Sequence, residues 1–440
     1  MKRMTIAAVL LLGLSGCGVL GGDGDKKTRT PLLGERIPIL SRESGVEVDP
    51  ALAAVPVVVP PAYVNSEWAQ PRGNAAKVMG HPALGSALAR AWTVSVAGNS
   101  KKTRLAAGPV VANDTVYVID TNAVVHAFDS ATGGQRWRTS LSVKGDGEKA
   151  VFGGGVSYAD GRLYATNGVG EVAALDAGTG NILWRVRPGG PLRGAPTLFN
   201  NQIFVISQDN QIFALASEDG RTIWNEAGSL ENSGIFGVAP PAAAQGTVIA
   251  GFSSGELTAY RYENGRAVWQ DALSRTSIST SVASLADIDA SPVIDEGRVY
   301  AIGQGGRMVA LELVTGQRMW ELNVSGLSTP WVAGDWIFVV TDQGQVLCIA
   351  KTSGKIRWIS KVRQWRNPEK KDRPIFWTGP ILAGDRLILA SSEGEMLNMS
   401  ITDGSIGTQT KLQSGVNVSP VVANNTLFIL DSDGRLTAWR

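Results

Sequence analysis

The chain has 440 residues, 44% of them hydrophobic and 18% charged, which is enough to bury a core and too apolar for a disordered protein. Its formal net charge is +2, and losing Lys2 and Arg3 with an N-terminal leader would bring the side chains to neutrality. A long-range pull on nucleic acid therefore has no support, and fifty-two glycines with thirteen tryptophans point instead to a repeated all-β fold.

Lys2 and Arg3 precede an apolar run from Met4 to Leu14. As a helix this run would rise about 16 Å, roughly half of a ~30 Å hydrocarbon core, so it reads as an export leader and not a span. The leader meets Leu14-Ser15-Gly16-Cys17, where small residues admit a peptidase and the Cys17 thiol can carry lipid. Residues 1–16 are thus read as a lipoprotein signal peptide. Gly18 follows the cysteine; an aspartate there would favour retention at the inner membrane.

Residues 17–86 form a lipid-anchored tether and an irregular N-terminal segment. "GGDGDKKTRTP" is a flexible stretch, and the prolines of "VDPALAAVPVVVPPAYVN" argue against a central strand. Trp68 and the valines call for cover by the folded domain, at a place the sequence does not reveal.

From Gly108 onward one unit recurs. Its copies end at Trp137, Trp184, Trp224, Trp269, Trp320 and Trp358. A turn glycine (Gly133, Gly180, Gly220, Gly265, Gly316, Gly354) lies four residues before each tryptophan. A seventh copy keeps Gly404 but has Thr408 in the tryptophan's place. Each unit holds three strand-like runs split by Gly/Asn/Asp turns, with the tryptophan on a fourth. Four short strands per 38 to 51 residues make one propeller blade, and blades must stack because one sheet cannot cover both its faces. The tryptophan is expected to wedge between neighbouring sheets.

The last unit, "VSPVVANNTLFILDSDGRLTAWR", supplies only three strands, whereas "ALARAWTVSVAG" before the first unit is an orphan strand carrying Trp92. Pairing the two completes an eighth blade and removes an open edge. The predicted fold is an all-β, eight-bladed propeller over residues 87–440, its last blade closed by the strand around Trp92.

Little in the chain reads as catalysis. Its two histidines, His81 and His126, lie far apart in the sequence, and neither sits in a catalytic motif. Asp431-Ser432-Asp433-Gly434 starts like a calcium loop but lacks the later acceptors, and a hairpin turn explains it better. "KGDGEK" (Lys144 to Lys149) has glycines but no following helix to make a phosphate loop. Cys348, in "GQVLCIA", reads as a small buried hydrophobe. No cofactor is expected.

The strand–turn–tryptophan repeat resembles that of pyrroloquinoline-quinone dehydrogenases, which are eight-bladed, but the vicinal cysteine pair usual in those enzymes is missing here. The better resemblance is to the propeller lipoproteins of the outer-membrane β-barrel assembly machinery, the BamB family. It spans the leader, Cys17 and the ring. "PLRGAPTLFN" (Pro191 to Asn200) resembles that family's leucine–arginine–glycine segment, and "LADIDASPV" (Leu285 to Val293) its paired-aspartate segment. The resemblance implies that Leu192, Arg193, Asp287 and Asp289 dock on a periplasmic domain of the barrel subunit. Where the family has a second leucine upstream, this chain reads Gly189-Gly190-Pro191. Both segments immediately precede the first strand of a blade, so they should open onto the same end of the ring. Leu192 would offer an apolar contact there beside the charges.

"KVRQWRNPEKKDRPIFW" (Lys361 to Trp377) is a second candidate surface, for anionic headgroups or a partner. Arg363, Trp365, Arg366, Lys370 and Lys371 carry it. The expected function is a non-enzymatic scaffold that is lipid-anchored at the outer membrane and faces the periplasm. Its partners would be the barrel subunit and unfolded barrel clients, not nucleic acid. The alternatives are a quinone-dependent oxidoreductase and a general ligand-binding periplasmic propeller.

Overall fold

The structure is a computed structural model that describes residues 46–142, 153–229, 239–273 and 287–440. Cys17, the leader, the stretch through residue 45 and the segment Lys144 to Lys149 lie outside the described residues.

Eight four-stranded antiparallel sheets follow one another along the chain. Blades one to seven span 110–140, 154–186, 197–227, 242–272, 293–322, 331–361 and 377–411. The eighth takes three strands from the C-terminus, Val421–Ala423, Thr426–Leu430 and Arg435–Trp439, and its fourth from Arg90–Ser95. Trp92 stands opposite Ala438, and Val94 opposite Leu436. The closure expected from the sequence is thus present. The two middle strands of each blade are buried almost throughout, as sheets covered on both faces require.

The repeated Gly–Trp spacing has a physical cause that spans two blades. Trp92, Trp137, Trp184, Trp224, Trp269, Trp320 and Trp358 each donate the indole N–H to a backbone carbonyl of the next blade, at 2.7–3.3 Å. The acceptors, from Ser130 to Ile401, all sit three residues before that blade's turn glycine. The glycine lies against the same ring. A Cβ at Gly316 would stand 2.5 Å from Trp269, and the residue is held at φ +73, a conformation that penalises any side chain. Each tryptophan also faces a small residue across its own sheet, such as Ala127, Ala310 or Ala438. Cys348, opposite Trp358, occupies that alanine position, and burial pushes its thiol up from the ordinary value. Thr408 needs no indole, because the next blade is the split one and has no hairpin there to receive it.

The N-terminal segment is no free tether where the structure describes it: Asp49 already donates its N–H to the Ile356 carbonyl of the sixth blade at 2.9 Å. The segment winds once around the axis at the end formed by the turns between first and second strands, and each of the eight blades gives it at least one donor. Val111, Tyr158, Ala243, Ile294, Gly384 and Asn424 donate backbone N–H groups to Trp68, Ala69, Ala75, Ala76, Pro82 and Asn65 carbonyls. Leu198 donates to the Gln70 side chain, and the Trp331 indole to the Gly80 carbonyl. The innermost strand of a blade has an unpaired edge, and this segment satisfies it. Trp68 is fully buried and stacks on Trp331 with ring centroids 6.1 Å apart. His81 is also structural: its Nδ1 lies 2.8 Å from the Pro60 carbonyl, and its Nε2 accepts the Asp385 N–H.

This plug carries two buried cations. Arg72 donates to Ser419 Oγ (2.8 Å) and the Thr329 carbonyl (2.6 Å); Lys77 donates to Thr197 Oγ1 (3.1 Å). Burial, then the charge of Arg72, push the Lys77 amine down to about 7 from 10.5. Between those values the unfolded chain holds a proton that the folded chain has released, so stability climbs as pH rises from about 7 towards 10.5. Lys77→Met removes this titration. In urea denaturation it is expected to raise stability by a few kcal/mol at pH 7 and to flatten the rise towards alkaline pH.

Candidate functional site

The loops that lead into the innermost strands all meet at the other, open end of the ring, around the axis. Two of them carry the predicted docking residues, and the structure brings all four together. Arg193 precedes the third blade, held by its backbone N–H on the Ile206 carbonyl at 2.8 Å. Asp287 and Asp289 precede the fifth, held by the Gln304 N–H on the Asp287 carbonyl (3.0 Å) and the Ile288 N–H on Phe252 (3.2 Å).

Arg193 Nη2 donates to Asp287 Oδ1 at 2.7 Å and reaches Asp289 Oδ1 at 3.5 Å. Gln304 Nε2 donates to the other oxygen of Asp289. The side chains of Arg193 and Asp287 are 3% and 1% exposed. Two carboxyls thus share one buried guanidinium, Asp287 fully enclosed and Asp289 10% exposed. Burial, then repulsion by Asp287, push the Asp289 carboxyl up to about 7, and burial raises Asp287 as well.

Exposure of these residues is where the sequence reading needs correction. Leu192 was expected to offer an apolar contact at the surface, but it is 0% exposed and packs in one cluster with Leu198 and Phe213. Gly189, three residues before it, meets the same Phe213 ring. A Cβ at Gly189 would lie 2.6 Å from the Phe213 ring, so the loop closes over that ring only without a side chain. The four residues shape the rim from inside. Gln304 was missed because its role depends on a contact fifteen residues away that no local pattern marks.

The second candidate surface is a small hairpin, Trp365–Asn367 with Asp372–Pro374, between the sixth and seventh blades. Arg363 and Arg366 pair with Glu395 (2.7 Å) and Glu393 (3.4 Å), which lowers its net charge, whereas Lys370 and Lys371 are exposed near its tip. Trp365 is half-buried. Trp377 is buried, with its indole on the Arg363 carbonyl, and Phe376 is left exposed.

Among the described residues no group of three or more His, Cys, Asp or Glu side chains could hold a metal ion. His126 pairs with Asp120 at 2.9 Å inside the first blade. Asp431 accepts the Asp433 and Arg435 N–H groups, so the calcium-like stretch is a hairpin turn.

The family profile described as outer membrane protein assembly factor BamB matches residues 86–151, 124–360 and 362–439, which is the whole ring. The chain belongs to the BamB family. The Salmonella typhimurium BamB is 29% identical over 388 residues, covering 79% of this chain and 87% of that protein. The Moranella endobia BamB is 26% identical over 249 residues, and the match spans 57% of this chain and 62% of that one. Among solved structures, BamB from Moraxella catarrhalis superposes with a TM-score of 0.68 at 20% identity, covering 80% of this chain and all of that one. The quinohemoprotein alcohol dehydrogenase of Comamonas testosteroni does so with 0.67 at 13% identity, covering 86% and 81%. Both likenesses concern the fold alone. What separates BamB from the dehydrogenase is the sequence match along the ring.

Proposed function

We propose that this chain is a non-enzymatic scaffold of outer-membrane protein assembly, anchored through lipid on Cys17 and facing the periplasm. The observation that carries the reading is the family match over every blade. The open end of the ring docks on a periplasmic domain of the barrel subunit. Leu192, Arg193, Asp287 and Asp289 hold the two rim loops in one rigid arrangement, so that a partner meets a preformed surface and spends little on ordering it. The hairpin adds a weaker contact, with Lys370 and Lys371 towards anionic headgroups or a partner. Unfolded barrel proteins are secondary clients, because a closed ring leaves few strand edges to pair.

Affinity capture of the lipidated protein from detergent-solubilised outer membranes is the test. The expected result is recovery of a membrane β-barrel subunit. Charge reversal at both Lys370 and Lys371 should reduce recovery only from lipid-containing samples. If no barrel protein is recovered, the scaffold reading fails. If the double variant behaves as the parent in every sample, the hairpin has no such role.

A further inference from the structure

The plug leaves a blind cavity of about 480 Å³ on the axis, open at the rim end. Exposed Arg104, Asp342 and Phe376 surround its mouth, and Trp68, Pro71 and Arg72 close its floor. The wall between is mainly apolar, with Ala106, Ala195, Val340, Ile375 and Val418 facing in.

Arg72 is unusual on three counts. It is 7% exposed, yet no carboxylate pairs with it among the described residues, and its Nε, itself closed off from solvent, has no hydrogen-bond partner. Its compensation is two neutral oxygens and the face of Trp331, 5.5 Å from the guanidinium. A second buried cation, Lys77, lies within its electrostatic reach and adds to the positive field. Both residues sit at left-handed φ, +64 and +66, where a non-glycine side chain is strained. Of the two acids that line the cavity, Asp289 is already committed to Arg193 and Gln304, and Asp342 lies exposed at the mouth. Burying a charge without a counter-charge costs stability, and chains keep such arrangements chiefly where a ligand uses them.

We propose that the axial cavity binds an organic carboxylate, with the charged end on Arg72 and an apolar body filling the funnel. A bare inorganic anion would meet the cation but leave the apolar wall unfilled. A neutral apolar molecule would fill the wall and leave the cation unmet. The carboxylate comes from a small free acid or from the C-terminus of a peptide chain, and both fit a blind funnel that admits one end of a molecule.

Calorimetric titration of the full chain in detergent with 3-phenylpropionate, its neutral amide, inorganic phosphate and the dipeptide acetyl-alanyl-leucine tests this. The acid is expected to bind one to one, and the amide roughly tenfold or more weakly, the difference that a hydrogen bond to a charged group supplies. Phosphate should bind more weakly than the acid. If the dipeptide is tighter than the acid, a chain terminus is the source; the reverse order assigns a free acid. Arg72→Met should lose the preference for acid over amide. Because that variant also cuts ties to Ser419 and Thr329, Ala106→Phe serves as the second. It narrows the funnel and leaves the Arg72 bonds to Ser419 and Thr329 in place, and should abolish binding while the unfolding midpoint stays near that of the parent. Equal binding of acid and amide, binding that survives Ala106→Phe, or no binding of the acid up to roughly 10 mM would overturn the proposal.

Discussion

Arg193→Ala is expected to lower stability by about 3–5 kcal/mol, measured by urea denaturation at pH 8. The guanidinium is the cation shared by Asp287 and Asp289, whose side chains are only 1% and 10% exposed. Without it, two negative charges face each other in a low dielectric, and the cheapest escape is to take up protons. The deficit should therefore shrink as the pH is lowered to 5. Asp289→Asn gives the opposite sign. Asp289 holds its proton up to about 7 when folded but only to about 3.8 when unfolded. Its contribution is complete below the lower value and is lost as pH rises through the higher one. The asparagine variant should be more stable than the parent at pH 8 and close to it at pH 4. These results bear directly on docking. A charge-reversed Arg193 that fails to bind a barrel subunit has lost a rim before it has lost a contact, so binding must be read beside stability. Asp289→Asn keeps the rim, and its binding separates shape from charge.

Ending the chain before Arg435 should abolish cooperative unfolding altogether. The strand Arg435–Trp439 pairs on one side with Thr426–Leu430 and on the other with Arg90–Ser95. Removing it exposes two edges and releases Trp92 from Ala438. The terminal Arg440, whose Nη2 donates to the Ser130 carbonyl of the first blade at 2.9 Å, goes with it. Among the described residues no other strand can supply the missing partner, because every other blade is complete within its own stretch of chain. The expected observations are a broad thermal transition and rapid proteolysis near residue 95. A sharp transition at the parent's midpoint would mean that the ring holds without its closure. A single Trp269→Ala should be milder, about 3–5 kcal/mol, since it removes one of seven indole staples and leaves the ring closed.

Much of this was legible because it is periodic. The glycine four residues before each tryptophan is one contact repeated around the ring, so counting it gave the blades, and the unmatched strand at Trp92 gave the closure. Even the lapse at Thr408 follows from that rule once the split blade is placed. The alternation of buried and exposed positions needs only the local pleat, which the chain carries in its own order.

What stayed hidden has no period. The plug at 58–82 reads as proline-rich coil, yet it meets all eight blades, because its partners are the free edges that only a finished ring presents. Arg72 and Lys77 look like ordinary surface cations in the sequence, and folding places them on the axis. Leu192, Arg193 and the two aspartates could be named as a set from resemblance, but whether they face water was decided by packing. The loop before the third blade folds over Phe213 and brings the guanidinium inward, across to acids 94 and 96 residues further along. The sequence by itself determined the wheel, since each blade's pattern is local and repeated. The tertiary structure alone decided which charges are buried and what lies on the axis, since those depend on distances set only when the last strand meets the first.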